Sequence, residues 1–200
     1  MPTELNTAPI TVVVAFYNAS SRVEALIENL RNLRPLPAQV VLVNDGSTDD
    51  TLAKLQQATE GLDNYEVVTK PNGGPASARN AGIARAGQPW VAFTDDDCLP
   101  DRDWAAATLA HFDAHPRAGM VGGRITLEWE SGPTALAERC STMLAQQDLG
   151  DQPILLDHPE RGLVGVALAM RRQAIIDSGW LTARELTDRS GRELTSGGDF

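Results

Sequence analysis

Short runs of apolar residues alternate along the chain with segments in which apolar residues recur every three or four positions. The continuous runs predict buried strands, and the spaced segments predict amphipathic helices. This alternation is typical of an α/β fold in which helices flank a mainly parallel sheet. In the first half of the chain, the predicted strands are 10–16, 39–43, 65–69 and 90–94.

A helix is predicted after each of these strands. Ser20 or Ser21 is the expected N-cap of the first helix, which runs to Arg34 before Pro35 and Pro37. The later helices are expected after Asp49 or Asp50, at 76–85 and at 103–115. Beyond residue 118 the weaker pattern predicts a strand at 120–127, a helix at 134–147, a strand at 163–170 and a short helix at 171–177.

The chain has 200 residues, of which 42% are hydrophobic and 22% are charged. This length and composition fit one globular domain, which we place at 10–200 after an N-terminal tail at 1–9. Asp and Glu number 27 against 17 Lys and Arg, which gives a net charge of −10. Because proteins that bind nucleic acid need a basic surface for the phosphate backbone, this charge argues against a nucleic acid partner.

The longest apolar stretches, 10–16 and 162–170, are far shorter than the roughly 20 residues that cross a membrane as a helix. The N-terminus lacks the basic patch of a secretory signal. The sequence therefore predicts no transmembrane segment, and we expect a cytoplasmic protein, peripheral at the inner face of the cell membrane.

Polar residues follow each of the four predicted strands at its carboxyl end. In open α/β sheets, ligands bind at this edge, so these residues are candidates for function. They are Tyr17 and Asn18, then Asp45, then the Asn72-Gly73-Gly74 turn, and finally Asp95, Asp96 and Asp97. We call the third group the glycine loop and the last group the acidic triplet, and we expect all four to converge on one cleft.

The acidic triplet is the most informative of these motifs. Three adjacent carboxylates repel one another unless a cation neutralises them, and carboxylate oxygens suit Mg²⁺ or Mn²⁺. In an extended segment Asp95 and Asp97 point to the same side, so both can share one site. The alternative is that the triplet begins a helix, although Asp101 and Asp103 already serve the helix that follows.

Two further motifs are ambiguous by themselves. Segment 72–82 combines glycines, a helix N-terminus and Arg79, which suits a diphosphate, but Gly-Gly-Pro before a helix is also ordinary turn chemistry. Asp45 can accept hydrogen bonds from a base or a ribose, or it can form an Asx turn before Gly46. A nicotinamide site is not indicated, because no G-x-G-x-x-G follows the first strand.

Taken in order, these segments resemble the inverting glycosyltransferases of family 2, which have the GT-A fold. The first strand ends in Tyr-Asn, as in the family, and segment 43–49 is similar to its Val-Asp-Asp-Gly-Ser-Thr-Asp. Segment 72–82 is close to Asn-x-Gly-x-x-x-Ala-Arg-Asn-x-Gly, and the acidic triplet fits Asp-x-Asp. The resemblance covers about residues 10–200 and implies a Rossmann-like GT-A domain. Asn44 stands where the family usually has its first Asp, so we assign the base contact to Asp45.

The resemblance implies a UDP- or GDP-sugar donor, with Asp45 on the base and Arg79 near the nucleotide. It places Asp95 near the ribose or the metal, and Asp97 on a Mn²⁺ or Mg²⁺ ion that bridges the diphosphate. The other residues predicted to contact the nucleotide sugar are Tyr17, Asn18, Gly74 and Asp96.

Two later segments extend the resemblance to the acceptor, which we expect to be a saccharide or a lipid-linked hydroxyl. Segment 165–172 resembles the family's Gly-Ala-Asn-Met-Ala-Phe-Arg-Arg, although it lacks the Asn, and Trp180 is a further candidate contact. Segment 196–200, Ser-Gly-Gly-Asp-Phe, resembles the part of the family that carries the general base, which makes Asp199 the predicted base. Since a helix usually follows that part, we expect the chain to be cut short there.

The resemblance predicts a metal-dependent inverting glycosyltransferase that acts in cell-surface or exopolysaccharide synthesis. Two alternatives stay open. One is a module that binds sugar nucleotides without catalysis. The other is a nucleotidyltransferase, which is less favoured because such enzymes usually carry a Gly-rich basic loop where this chain has Tyr17-Asn18-Ala19-Ser20.

Overall fold

The structure, a computed structural model, describes residues 7–129, 131–156 and 163–182. Its strands are β1 Thr7–Phe16, β2 Leu36–Asp45, β3 Tyr65–Lys70, β4 Trp90–Asp95, β5 Met120–Gly122 and β6 Leu168–Arg171. They form one six-stranded sheet in the order β3-β2-β1-β4-β6-β5. The first four strands in this order are parallel, and β6 is antiparallel to both β4 and β5. This confirms the mainly parallel α/β sheet.

Helices connect the strands, and all but the fifth of them pack on the two faces of the sheet. They are α1 Val23–Arg31, α2 Thr51–Ala58, α3 Pro75–Arg85, α4 Trp104–Ala114, α5 Ala135–Arg139 and α6 Arg172–Asp177. Val12 and Val14 of β1 pack on one face with α1 and α4, and Val13 packs on the other face with α3 and α6. Because β1 is buried on both faces, its sequence is almost continuously apolar.

Gly82 allows α3 to lie very close to the sheet. A Cβ atom at this position would lie 2.2 Å from Cγ1 of Val13 in β1, which is a steric clash. The last glycine of segment 72–82 therefore serves helix packing and not the approach of a ligand. This close packing holds the N-terminal end of α3, with the glycine loop before it, at the carboxyl edge of the sheet.

The strands and helices predicted in the first half of the chain are confirmed, with shifted ends. β1 and β2 each begin three residues earlier than predicted, at Thr7 and Leu36, so Pro37 lies inside a strand. α1 ends at Arg31, before the predicted Arg34.

The predicted cap of α1 is wrong. Arg22 occupies the N-cap position of the helix, which begins after both candidate serines. The backbone amide of Ser20 instead donates to the carboxylate of Asp49, so this loop is fixed by the chain that follows β2.

The second half of the chain differs more from the prediction. The strands predicted at 120–127 and 163–170 are the shorter β5 and β6. The helix predicted at 134–147 is replaced by α5 and a separate 3₁₀ turn, Ser141–Leu144, which ends at Ala145 with φ of +64°. α5 buries none of its residues, so it has no apolar face whose packing would extend it.

Within the described parts of the chain, every helix is too short or too polar to span a lipid bilayer.

Candidate active site

The carboxyl ends of β2, β1 and β4 lie side by side and bring the predicted motifs together. Ala15 of β1 pairs with Val43 of β2 on one side and with Asp95 of β4 on the other. β2 ends two residues after Val43, at Asp45. The tip of β1 therefore separates Asp45 from the acidic triplet, and the loop after β1 begins there at Tyr17.

Asp45 is buried beneath the glycine loop, with 3% of its surface exposed. Its Oδ1 accepts a hydrogen bond of 2.6 Å from Nζ of Lys70, and its Oδ2 accepts one of 2.8 Å from the amide of Gly74. The amide of Gly73 and the side chain of Asn72 donate to the same carboxylate. Asp45 thus holds the glycine loop in place, and Lys70 balances its charge.

Two glycines with positive φ permit this arrangement. Gly46 has φ of +69°, and a Cβ atom there would lie 2.6 Å from the backbone nitrogen of Asn72. Gly74 has φ of +86° at the N-cap of α3. These conformations favour glycine, and a side chain at Gly46 would push the glycine loop away from Asp45.

Asn44, which replaces the family's first Asp, has a structural role. It is buried, its Nδ2 donates to Oγ1 of Thr69 at 2.9 Å, and its Oδ1 accepts from the amide of Ser47 at 3.3 Å. Asn44 therefore makes the side-chain hydrogen bond within the turn after β2, whereas the Asp45 carboxylate bonds to the glycine loop.

Asn18 joins the loop after β1 to the loop after β2. Its side-chain Oδ1 accepts a hydrogen bond of 2.8 Å from the backbone amide of Thr48, and its backbone amide donates to Oγ of Ser47 at 3.0 Å. Tyr17 is 53% exposed. Both predicted nucleotide contacts are thus exposed, and Asn18 also holds the two loops together through its hydrogen bonds.

Asp49 makes a second connection between the same loops. Its carboxylate accepts hydrogen bonds from the hydroxyl and amide of Thr51 and from the amide of Ser20. These bonds, chiefly the one from the Thr51 hydroxyl, lower the pKa of Asp49 from its ordinary 3.8 to about 2. The predicted alternative cap, Asp50, occupies the N-cap position of α2 without a capping side-chain bond.

The three carboxylates of the acidic triplet have different surroundings. Oδ1 of Asp95 lies 3.0 Å from Nη2 of Arg79, and Oδ1 of Asp96 lies 2.9 Å from Nη1 of Arg22. Asp97 is the most exposed of the three. Arginines from other parts of the chain thus neutralise two of the three charges, and Asp97 is the carboxylate that a ligand reaches most easily.

Burial affects the protonation of two groups here. It raises the pKa of Asp96, although the nearby Arg22 opposes the change. Burial and the neighbouring Asp97 carboxylate, which accepts a 3.4 Å hydrogen bond from the Cys98 thiol, raise the pKa of that thiol to about 12. Cys98 is therefore a neutral thiol and a poor nucleophile.

The donor atoms of the triplet fit a cation that is bound together with phosphate. Among the described residues, no group of three or more His, Cys, Asp or Glu side chains is placed to hold a metal ion. Mg²⁺, however, usually binds proteins through one or two carboxylates and completes its coordination with water and substrate phosphates. Asp95 and Asp97 supply carboxylates of this kind.

The predicted acceptor segment packs against α3. A Cβ atom at Gly165 would lie 3.5 Å from the guanidinium carbon of Arg79. Nε1 of Trp180 donates to Oδ1 of Asn80 at 2.9 Å, and its ring packs on the core below. The indole nitrogen thus has a structural partner, and the acceptor contact of Trp180 stays a prediction.

Two basic residues of this site were not found from the sequence. Lys70 is the partner of Asp45 in the β2–β3 register, so strand pairing could have identified it. Arg22 carries no motif, and its contact with Asp96 comes from the fold alone. The predicted base, Asp199, lies outside the described residues.

Comparison with known proteins connects this geometry to a family. The model of "Glycosyl transferase family 2" matches residues 11–179. The pre-mycofactocin glycosyltransferase of Mycobacterium tuberculosis is 33% identical in an alignment 179 residues long, which covers 85% of this chain and 35% of that protein. The poly-beta-1,6-N-acetyl-D-glucosamine synthase of Staphylococcus aureus is 32% identical over 114 residues, which are 57% of this chain and 28% of that protein. The chain thus spans about a third of the length of these relatives.

Solved structures share the fold. S. aureus TarS in complex with UDP-GlcNAc superposes with a TM-score of 0.64 at 22% identity, over 84% of this chain and 47% of that one. The mannosyltransferase PcManGT from Pyrobaculum calidifontis, in complex with GDP-Man and Mn²⁺, gives a TM-score of 0.63 at 22% identity, over 86% of this chain and 46% of that one. These similarities confirm the GT-A fold that the motifs implied. With its motifs in order at one sheet edge and the family model matched along most of its length, the chain belongs to glycosyl transferase family 2.

Proposed function

We propose that the protein is a metal-dependent inverting glycosyltransferase that moves a sugar from a UDP- or GDP-sugar to a hydroxyl group of a saccharide or lipid-linked acceptor. The observation that carries this proposal is the convergence of Asp45, the glycine loop and the acidic triplet around the tip of β1. A role in cell-surface polysaccharide synthesis, at the inner face of the membrane, fits the acceptor class.

The nucleotide is proposed to bind across the tip of β1. The glycine loop, which Asp45 holds in place, lies on one side, where the base would contact it, and the exposed ring of Tyr17 offers a surface for stacking. Arg79 and Asp95 lie on the other side, toward the ribose and the diphosphate. Asn18 fixes the loop that carries Tyr17 to the loop after β2.

Asp97 and Asp95 are the residues that would hold a Mn²⁺ or Mg²⁺ ion. Such an ion supplies a Lewis acid that offsets the charge of the departing diphosphate. The protein itself also limits the repulsion between the triplet and an anionic diphosphate, because Arg79 and Arg22 already neutralise two carboxylates of the triplet. Among the described contacts, Asp97 is the carboxylate of the triplet without an arginine partner. An anionic diphosphate would therefore meet one negative charge that no arginine balances.

The chemical step is an in-line substitution at the anomeric carbon. The acceptor oxygen forms a bond to this carbon while the bond to the diphosphate oxygen breaks, which inverts the configuration. Asp199 is proposed to take the proton of the acceptor hydroxyl. The Asp199→Asn variant should bind the donor normally and lose about 10²–10⁴-fold in transfer rate. Transfer at a near-normal rate would exclude Asp199 as the base.

The proposal is tested by calorimetry with a panel of UDP- and GDP-sugars in Mn²⁺ or in EDTA, together with an assay of nucleotide release. We expect binding of at least one donor, its loss in EDTA, and release of UDP or GDP when acceptor is present. Failure to bind any donor would contradict the proposal. Binding without release would indicate a module without catalysis, and pyrophosphate formation from a nucleoside triphosphate would indicate a nucleotidyltransferase.

A further inference from the structure

Arg22 forms an ion pair with the middle residue of the acidic triplet across 74 positions of sequence. We propose that Arg22 is a positioning residue that holds the triplet in the geometry needed for the cation and diphosphate of the donor. Because it concerns the donor site, this inference rests on the proposed function. The pair joins Nη1 of Arg22 to Oδ1 of Asp96 at 2.9 Å, and the Asp96 side chain is 16% exposed.

The triplet forms a turn that is fixed at two points. The amide of Cys98 donates to the carbonyl oxygen of Asp95 at 3.2 Å, which closes the turn through the backbone. The Asp96 side chain is fixed by Arg22 on the side of α1. Without this partner, the half-buried Asp96 carboxylate would face the charges of Asp95 and Asp97 unpaired. It would then turn toward water, and the orientation of Asp97 would change with it.

The backbone of Arg22 is itself held in place by hydrogen bonds. Its backbone amide donates to the carbonyl of Ala19 at 2.9 Å, and the buried amide of Ala19 donates to Oγ1 of Thr51 at 2.9 Å. The amide of Ser20 donates to Asp49. The loop before α1 is therefore held by the loop after β2, on the side proposed for the base. Arg22 extends this support to the triplet, on the side proposed for the diphosphate.

The test compares Arg22→Gln with Arg85→Gln. Arg85 is a matched control, because it forms an ion pair of 3.0 Å with Glu66 on the same protein, and 58% of its side chain is exposed. Binding is measured by calorimetry with UDP or GDP, whichever the wild type binds, in saturating Mn²⁺, and with the corresponding nucleoside monophosphate, which lacks the diphosphate.

We expect Arg22→Gln to weaken Mn²⁺-dependent binding of the diphosphate about tenfold and to leave monophosphate binding and the melting temperature unchanged. Arg22→Lys should restore part of the loss, because it keeps the charge. In an Asp96→Asn background, Arg22→Gln should have little further effect, since the pair is already broken.

Three results would overturn the inference. If Arg22→Gln and Arg85→Gln bind the nucleoside diphosphate equally well, the ion pair of Arg22 does not position the triplet. An equal loss of diphosphate and monophosphate binding, or a lower melting temperature with the same loss in Arg22→Lys, would indicate a general structural role. If the wild type binds neither nucleotide, the proposed function itself fails, and the inference fails with it.

Discussion

The carboxylates at the ends of β2 and β4 lie at the same edge of the sheet, on either side of β1, but their surroundings are opposite. Asp45 is buried, and its oxygens are occupied by Lys70 and the glycine loop. The acidic triplet is held at Asp95 and Asp96 by arginines, and it exposes Asp97. Location at a strand end therefore does not determine whether a carboxylate is available to a ligand. Its hydrogen-bond partners do.

The difference assigns different tasks to the two sites. The Asp45 site is an interior network, in which each partner depends on the others and a missing partner leaves a buried group unpaired. The triplet is a surface turn, in which loss of one side chain exposes its neighbours to water. Substitutions at Asp45 should therefore affect folding, and substitutions at Asp97 should affect ligand binding.

Removal of the Asp45 carboxylate should have the largest effect. Asp45→Ala removes the carboxylate that balances the charge of Lys70 and accepts from two loop amides, and we expect the free energy of unfolding to fall by about 3–5 kcal/mol. Urea denaturation followed by circular dichroism measures this change. Asp97→Ala is the matched control, and equal destabilisation by both variants would contradict the comparison.

Removal of the charge partner of Asp45 should have a smaller effect. Lys70→Met leaves the carboxylate with its amide donors, so we expect a loss of about 1–3 kcal/mol in the free energy of unfolding. Lys54→Met is the control, since Lys54 pairs with the exposed Glu24 at 3.4 Å and should contribute at most about 1 kcal/mol. A Lys70→Met protein as stable as Lys54→Met would show that the buried pair contributes no more than the exposed one.

Asp97→Asn should change binding and leave folding nearly intact. The side chain is exposed, so we expect the free energy of unfolding to stay within about 0.5 kcal/mol of the wild type. Mn²⁺-dependent binding of UDP or GDP should weaken about tenfold, equivalent to about 1.4 kcal/mol. Calorimetry with and without EDTA measures the binding. Unchanged cation dependence would remove Asp97 from the proposed metal site.

The smallest expected effect concerns the stability of the protein in acid, to which Asp49 in the loop after β2 contributes. The folded pKa of Asp49 is about 2, below its ordinary 3.8, so the folded state binds the proton less readily than the unfolded state. The stabilisation from Asp49 is therefore present above pH 3.8 and is lost as the pH falls through about 2. Asp49→Asn should make the free energy of unfolding less dependent on pH in this range. Asp50→Asn is the control and should not, because the Asp50 side chain makes no capping bond. An NMR titration of the Asp49 carboxyl group that gives an ordinary pKa would contradict the assignment.

Much of the fold followed from the sequence, because it depends on local pattern. The apolar runs identified β1 to β4, and the polar residues after them identified the edge of the sheet where the motifs meet. The pattern was less informative beyond residue 118. There the strands are short, α5 buries no residue, and β6 reaches β4 by an antiparallel pairing of residues far apart in the chain. Local periodicity does not encode such a pairing.

The sequence by itself determined the α/β architecture, the order of the motifs and the residue types at the candidate site. Only the tertiary structure decided which carboxylates are occupied and which is exposed. Lys70 meets Asp45 across 25 positions, and Arg22 meets Asp96 across 74. The physical reason is that the charge of a carboxylate is balanced by whatever group lies within a few ångströms of it, and folding, not proximity in sequence, brings these groups together.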